Sequence, residues 1–236
     1  AARIARSIGA TLRVFGVARD ADAAEALRAA LGERAAAVDA PGAEIRVRSG
    51  AREEQITAEL AETYYHLFVV DASTMARGER RRGAVVEPAV LERSRTPILF
   101  VRGPMKAWKN LLLCTAVGEP GRAAVRYGAW LAARLSARVL LLHVSRPGGE
   151  APSWVRAHLE RGVRTLHGQG VQADFRIRAA DSPLEGILEE AREGPPDLVL
   201  IGRHVSPAGA QRHGEDVTLQ VLRATDGPVL VVPENA

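Results

Sequence analysis

The sequence has one cysteine, Cys114, and two lysines, Lys106 and Lys109, and it lacks any long apolar run. A single cysteine excludes an intrachain disulfide and a cysteine-rich zinc site, which fits a reducing compartment, so a cytoplasmic protein is expected. The strongly apolar stretches, such as Val139 to Val144 and Leu198 to Ile201, have the length of strands. A membrane helix needs roughly 20 such residues, so nothing here reads as a membrane span. The basic charge is nearly all arginine and nets only +4, weak evidence for nucleic-acid binding, which calls for a clustered basic face, so no nucleic-acid partner is expected. No GxxxxGK[ST] sequence is present to cradle phosphates, and no GxSxG to form a nucleophile elbow. Nor does the start at Ala1 carry a signal-peptide pattern. What remains is an ordinary globular composition, 47% hydrophobic and 25% charged, over 236 residues. That length suits one large domain or two of about 115 residues.

An internal repeat decides between these. His66-Leu67-Phe68-Val69-Val70-Asp71 matches Asp197-Leu198-Val199-Leu200-Ile201-Gly202 at an offset of 131 residues, and Thr96 to Val101 matches Gly227 to Val232 at the same offset. Gly9 to Val17 runs parallel to Ser136 to Val144 at an offset of 127. The repeat predicts two related domains, residues 1–104 and 105–236.

The second repeat reads through from end to end. Leu111 to Thr115 and Val139 to Val144 are continuous apolar runs, the pattern of parallel strands covered on both faces. Between them Val125, Gly128, Ala132 and Leu135 recur at helical spacing. Val155, Leu159, Gly162 and Leu166 predict a second helix, and Val171, Ala173, Phe175 and Ile177 alternate as in a half-buried strand. A capping box, Ser182-Pro183-Leu184-Glu185, starts a third helix that ends at Gly194. A strand at Leu198 to Ile201, a polar loop, a short helix with Val217, Val221 and Leu222, and a strand at Val229 to Val232 follow. Strands alternating with helices predict an α/β fold with an open parallel sheet flanked by helices. In the first repeat, Ala1 to Ile8 aligns with the later half of the second repeat's first helix. Its opening strand has no counterpart in the sequence, so a longer polypeptide, or another segment in that strand's place, is expected.

Ligands of open α/β sheets bind outside the carboxyl ends of the strands, which draws attention to the loop Gly202 to Asp216, the turn after Thr115 and the end of the strand at Val144. The loop's glycines and the helix beginning near Glu215 suit an anion, but Glu215 and Asp216 already bring negative charge to that helix end, so a surface loop capped by its own acids is the plainer reading. His204, His213, Glu215 and Asp216 match no metal-ligand spacing, so no metal is expected. The corresponding loop of the first repeat, Asp71 to Ala84, carries Arg77, Arg80, Arg81 and Arg82, which read as solvated charge before contacts to a polyanion or an acidic partner. The pairs Glu53-Glu54 and Glu189-Glu190 read as solvated helix surface, because consecutive helix positions diverge. Cys114 reads as a small core residue. No catalytic pair emerges, and no enzymatic activity is expected.

The second repeat resembles a universal stress protein domain. The resemblance is carried by Leu111-Leu112-Leu113-Cys114-Thr115, Glu119 to Val125, Leu141-Leu142-His143-Val144, Asp197 to His204, Val221-Leu222-Arg223 and Pro228 to Pro233. Arg48-Ser49-Gly50, His66 to Asp71 and Pro97 to Arg102 extend it to the first repeat, so the chain resembles a tandem universal stress protein lacking the opening of its first copy. The resemblance implies two adenine nucleotide alpha hydrolase-like domains. It places the family's nucleotide site at Thr115, Ala116, Val117, Val144, Gly202, His204, Val205, Gly209, Gly214, Glu215 and Asp216. Many members bind ATP through GxxGx9G[ST] and an aspartate after the first strand. Here Gly202 matches, while Val205 and Glu215 replace the later glycines, Asp216 the hydroxyl residue and Ala116 the aspartate. In the first repeat those loop positions are Asp71, Thr74, Ala84 and Val85. Side chains where backbone must approach phosphate, and carboxylates where its charge would lie, oppose ATP, so no cofactor is expected. Members without the loop act through dimerisation and protein partners, which implies a non-catalytic stress-response or regulatory protein. It also implies an intrachain pseudo-dimer through Pro97–Val101 and Pro228–Val232. Two alternatives stand beside this: an ATP or adenine-nucleotide binder using the second domain, and a cytosolic regulatory module of a transporter.

Overall fold

The apolar runs become strands, and a computed structural model describes residues 1–38, 40, 42–72, 88–102, 107–116, 118–148, 151–203 and 216–235. The chain divides into two compact units, Ala1–Tyr64 and Tyr65–Ala236.

The first unit contains α1 (Ala2–Ile8), β1 (Arg13–Ala18), α2 (Ala21–Ala37), β2 (Glu44–Ser49) and α3 (Arg52–Glu62). β1 and β2 pair in parallel, from Arg13 opposite Glu44 to Ala18 opposite Ser49. Asp20 caps α2 by accepting from the Ala23 amide at 2.9 Å, an N-cap that satisfies one orphan donor of the first turn.

The second unit begins with β3 (Phe68–Asp71), α4 (Pro88–Arg93) and β4 (Ile98–Val101). It continues as β5 (Asn110–Cys114), α5 (Glu119–Leu135), β6 (Arg138–Ser145), α6 (Ser153–His167), β7 (Ala173–Ala179), α7 (Pro183–Glu193), β8 (Leu198–Arg203), α8 (Val217–Ala224) and β9 (Val229–Pro233). Among the described residues its seven strands lie in the order β3-β4-β9-β8-β5-β6-β7. All neighbours are parallel except β4 and β9, which run antiparallel with Ile98 opposite Val231 and Phe100 opposite Val229. Helices cover both faces. A Cβ on Gly128 of α5 would lie 2.6 Å from Leu113 and one on Gly162 of α6 2.6 Å from Leu141, whereas one on Gly186 of α7 would lie 2.7 Å from Val144, on the other face. Leu113, Leu141, Leu198 and Leu200 are fully buried between these layers, which is why their strands lack polar alternation.

The compact units do not follow the sequence repeat. The 131-residue offset reappears in hydrogen bonds, since Phe68 donates to the Pro97 carbonyl at 2.9 Å and Val199 to the Pro228 carbonyl at 3.1 Å. Yet β3 and β4 extend the sheet of the second repeat, so the units part at 64/65 while the halves of the repeat, 1–104 and 105–236, meet at 104/105. In the second repeat β5 lies between β6 and β8, whereas β1 and β3, their counterparts in the first, belong to different sheets.

Candidate functional site

β5 is flanked by β6 on one side and β8 on the other, so the chain reverses its direction of travel across the sheet there, at the topological switch point where such sheets take ligands. Cys114 lies opposite Ile201, which brings Thr115 and Gly202 out at the same carboxyl-end rim. Of the residues picked out in the sequence, Thr115, Ala116, Gly202 and Asp216 border this point. Val144 lies one strand away on β6, beside Arg178 of β7. Val117, His204, Val205, Gly209, Gly214 and Glu215 fall outside the described residues, as do His213 and the arginines Arg77, Arg80, Arg81 and Arg82.

The turn after β5 is held tightly. The Thr115 amide donates to the Leu142 carbonyl at 2.9 Å, and the Thr115 carbonyl accepts from His143 Nδ1 at 3.1 Å. Thr115 Oγ1 donates its one proton to the Ala116 carbonyl at 3.0 Å and lies 3.4 Å from Nε2 of buried His158, which makes that nitrogen the donor. Burial lowers the pKa of His158, and the nearby charges of Arg161, Arg122 and His143 lower it further, so the ring is held neutral. Thr115 Oγ1 thus accepts a hydrogen bond from the imidazole, the opposite of activation by a base. Above the turn, a Cβ on Gly121 of α5 would lie 2.0 Å from the Ala116 oxygen and 2.4 Å from Thr115 Oγ1. Only glycine lets helix and turn approach this closely. Exposed Ala116 offers a methyl group where the resemblance implies a carboxylate.

Across the switch point, Asp216 is the N-cap of α8. Its Oδ1 accepts from the Thr218 amide at 2.9 Å, and its Oδ2 lies 3.6 Å from Nε of buried Arg203, the last residue of β8. Arg203 Nη1 also donates to the Leu91 carbonyl of α4. The acid of the loop therefore caps its own helix, as the composition of the segment suggests. Cys114 is buried, and its thiol is pushed up to about 12, first by burial and then by the charge of Glu190, so it stays protonated at neutral pH. Among the described residues no three His, Cys, Asp or Glu side chains gather as metal ligands. Two clefts, of about 500 and 520 Å³, open at the opposite, amino-terminal rim of β5 and β6, where Arg138 donates to Asn110.

The reading of Glu189-Glu190 as solvated surface is corrected. Glu190 is buried, accepting from Arg176 at 2.6 Å and from Arg178 at 2.9 and 3.1 Å, because α7 lays it over the polar side of β7. The first repeat holds the same arrangement. Buried Glu59 of α3 takes Arg46 at 3.0 Å and Arg48 at 2.9 Å, while Glu62 and Glu193 form the outer pairs. Arg46-Val47-Arg48 against Arg176-Ile177-Arg178, each followed by a glutamate about one helix later, is the signal that aligning the repeats would have supplied. The link between Thr115 and His158 leaves no such signal. Glu53 and Glu54, by contrast, are exposed in the first turn of α3, as expected.

Residues 107–233 match the model of the Universal stress protein family. Among solved structures, a universal stress protein from Archaeoglobus fulgidus DSM 4304 aligns with a TM-score of 0.73 at 16% identity, covering 98% of this chain and 89% of that one. A functionally unknown protein from Pseudomonas aeruginosa PAO1 aligns with a TM-score of 0.60 at 15% identity, covering 96% and 83%. At such identities the likeness shows the fold. No curated protein sequence matches the chain. Among the described residues, no helix is long and apolar enough to cross a membrane.

Proposed function

The chain belongs to the universal stress protein family, and on that premise we propose that it is a cytoplasmic, non-catalytic stress-response or regulatory protein that acts through contacts with other proteins rather than through ATP. The observation that carries this reading is Asp216. Its carboxylate stands where the family's loop has a hydroxyl, caps α8 and faces Arg203, so the positive helix end and the buried guanidinium already have an anion of the chain's own. Ala116 adds to it, lacking the acid that in the family contacts the nucleotide.

The same reading takes the chain as a tandem of two family domains, residues 1–104 and 105–236, paired as an intrachain pseudo-dimer through Pro97–Val101 and Pro228–Val232. The antiparallel pairing of β4 with β9 supports it, because this pairing joins the last strand of each repeat. Both strands already have a second partner, β3 and β8.

The first test is mass spectrometry of freshly purified protein after denaturation. The proposal predicts no stoichiometric adenine nucleotide in the supernatant. A nucleotide recovered at one per chain would refute it.

A further inference from the structure

α4 and α8 end at the same place in the repeat, Leu91 and Leu222 lying 131 residues apart. Each contributes one of the last four carbonyls of its helix, which have no acceptor role within the helix and carry the negative end of its dipole. Each is met by an arginine from the other repeat. Arg203, at the end of β8, donates to the Leu91 carbonyl, and Arg102, just past β4, donates to the Leu222 and Thr225 carbonyls. The two arginines are not equivalent in the repeat, since the counterpart of Arg102 is Pro233 and that of Arg203 is Ala72. The reciprocity therefore comes from the way the halves are joined.

Arg203 does more than close the junction. Its side chain is 3% exposed, and while Nη1 is committed to Leu91, Nε faces the Asp216 carboxylate at 3.6 Å. Asp216 in turn holds the first turn of α8 through the Thr218 amide. One buried guanidinium thus spans from the end of a helix in the first repeat to the N-cap that borders the candidate site of the second.

We infer that Arg203 is a positioning residue through which the first repeat supports the candidate site of the second. The inference rests on the pseudo-dimer reading above. A planar guanidinium presents several fixed donors and serves two acceptors at once, whereas an ammonium is a single point charge. The first repeat's part in this is structural: the end of α4 fixes the guanidinium, and the guanidinium fixes Asp216.

The test is amide hydrogen exchange by NMR on the full chain, comparing wild type with Arg203→Met and Arg203→Lys. Two amides report: Ser94, which donates to Val90 at the end of α4, and Thr218, which donates to Asp216. Arg203→Met is expected to speed exchange about tenfold at both, and Arg203→Lys, which covers the case of a misfolded Met variant, about threefold at both. Asp216→Asn is expected to speed Thr218 and leave Ser94 at its wild-type rate. Faster exchange at only one of the two amides in the Arg203 variants, or wild-type rates at both, would overturn the inference. Cross-strand NOEs between Ile98–Phe100 and Val229–Val231 in the wild type test the underlying reading separately. Their absence removes the pseudo-dimer, and their presence with an unresponsive Ser94 removes only the role of Arg203.

Discussion

Replacing Gly121 by alanine puts one methyl group into the tightest approach at the candidate site. The added Cβ would lie 2.0 Å from the Ala116 oxygen, 2.4 Å from Thr115 Oγ1 and 3.2 Å from the Ala116 carbonyl carbon. The Ala116 contact is with backbone, so no side-chain rotation relieves it, and either the first turn of α5 or the turn after β5 must move by about an ångström. Overpacking a well-filled site by one group costs about 1–3 kcal/mol, and a clash with backbone belongs at the upper end. For a unit of this size each kcal/mol lowers the melting temperature by about 2–4 °C, so Gly121→Ala should melt about 6–12 °C below wild type. Gly168, which ends α6 with φ −62° and ψ −18°, is the control: a Cβ there meets nothing closer than 3.4 Å, and alanine should raise stability slightly by reducing the freedom of the unfolded chain. Differential scanning calorimetry measures both. A Gly121→Ala variant melting within about 2 °C of wild type would show that helix and turn are not locked together.

Three further outcomes follow from the buried polar and titratable groups. The Cys114 thiol, raised to about 12, should resist thiol reagents at pH 8 until the protein unfolds; its share of stability is present below the unfolded value near 9 and lost as pH rises toward 12, so Cys114→Ala should soften the alkaline loss. Rapid labelling of the folded protein would contradict this. For His158 the sign is reversed: its lowered pKa means that the unfolded chain takes up a proton near pH 6.5 before the folded chain does, so acidification through that range destabilises. His158→Gln should lessen that loss, and an NMR titration midpoint of His158 at or above 6.5 would count against the buried neutral ring. Glu190→Ala should speed amide exchange in β7 more than Glu193→Ala, because the Glu190 side chain is 4% exposed and that of Glu193 is 58% exposed. Equal effects would mean that burial does not set their rank.

The strands β5, β6, β8 and β9 were legible because they are buried on both faces and so carry no polar interruption, and α7 because Ser182 caps it, accepting from the Glu185 amide at 3.2 Å. The positions of Thr115, Gly202 and Asp216 around one switch point followed from the order of those elements. The arginine and glutamate clusters stayed hidden for a physical reason. Arg176 and Arg178 alternate with Phe175 and Ile177 just as on a solvated strand face, and only the packing of α7 over them converts that face into a covered one with Glu190 as its counter-charge. The division of the chain at 64/65 was equally hidden, since a repeat records which segments are alike and carries no signal that β1 and β2 form a sheet apart from β3 and β4. His143, His158 and Thr115 lie on three separate elements without a shared period, so no local pattern announces their contact.

The claim that Asp216 and Ala116 leave no place for a nucleotide is tested most directly by calorimetric titration of the nucleotide-free full chain with ATP and magnesium. The account predicts no binding heat at millimolar ATP from a sample whose folding is verified by its melting transition. Saturable binding at micromolar ATP, tightened rather than lost when Asp216→Ser removes the carboxylate, would place a working phosphate site at the start of α8 and contradict it.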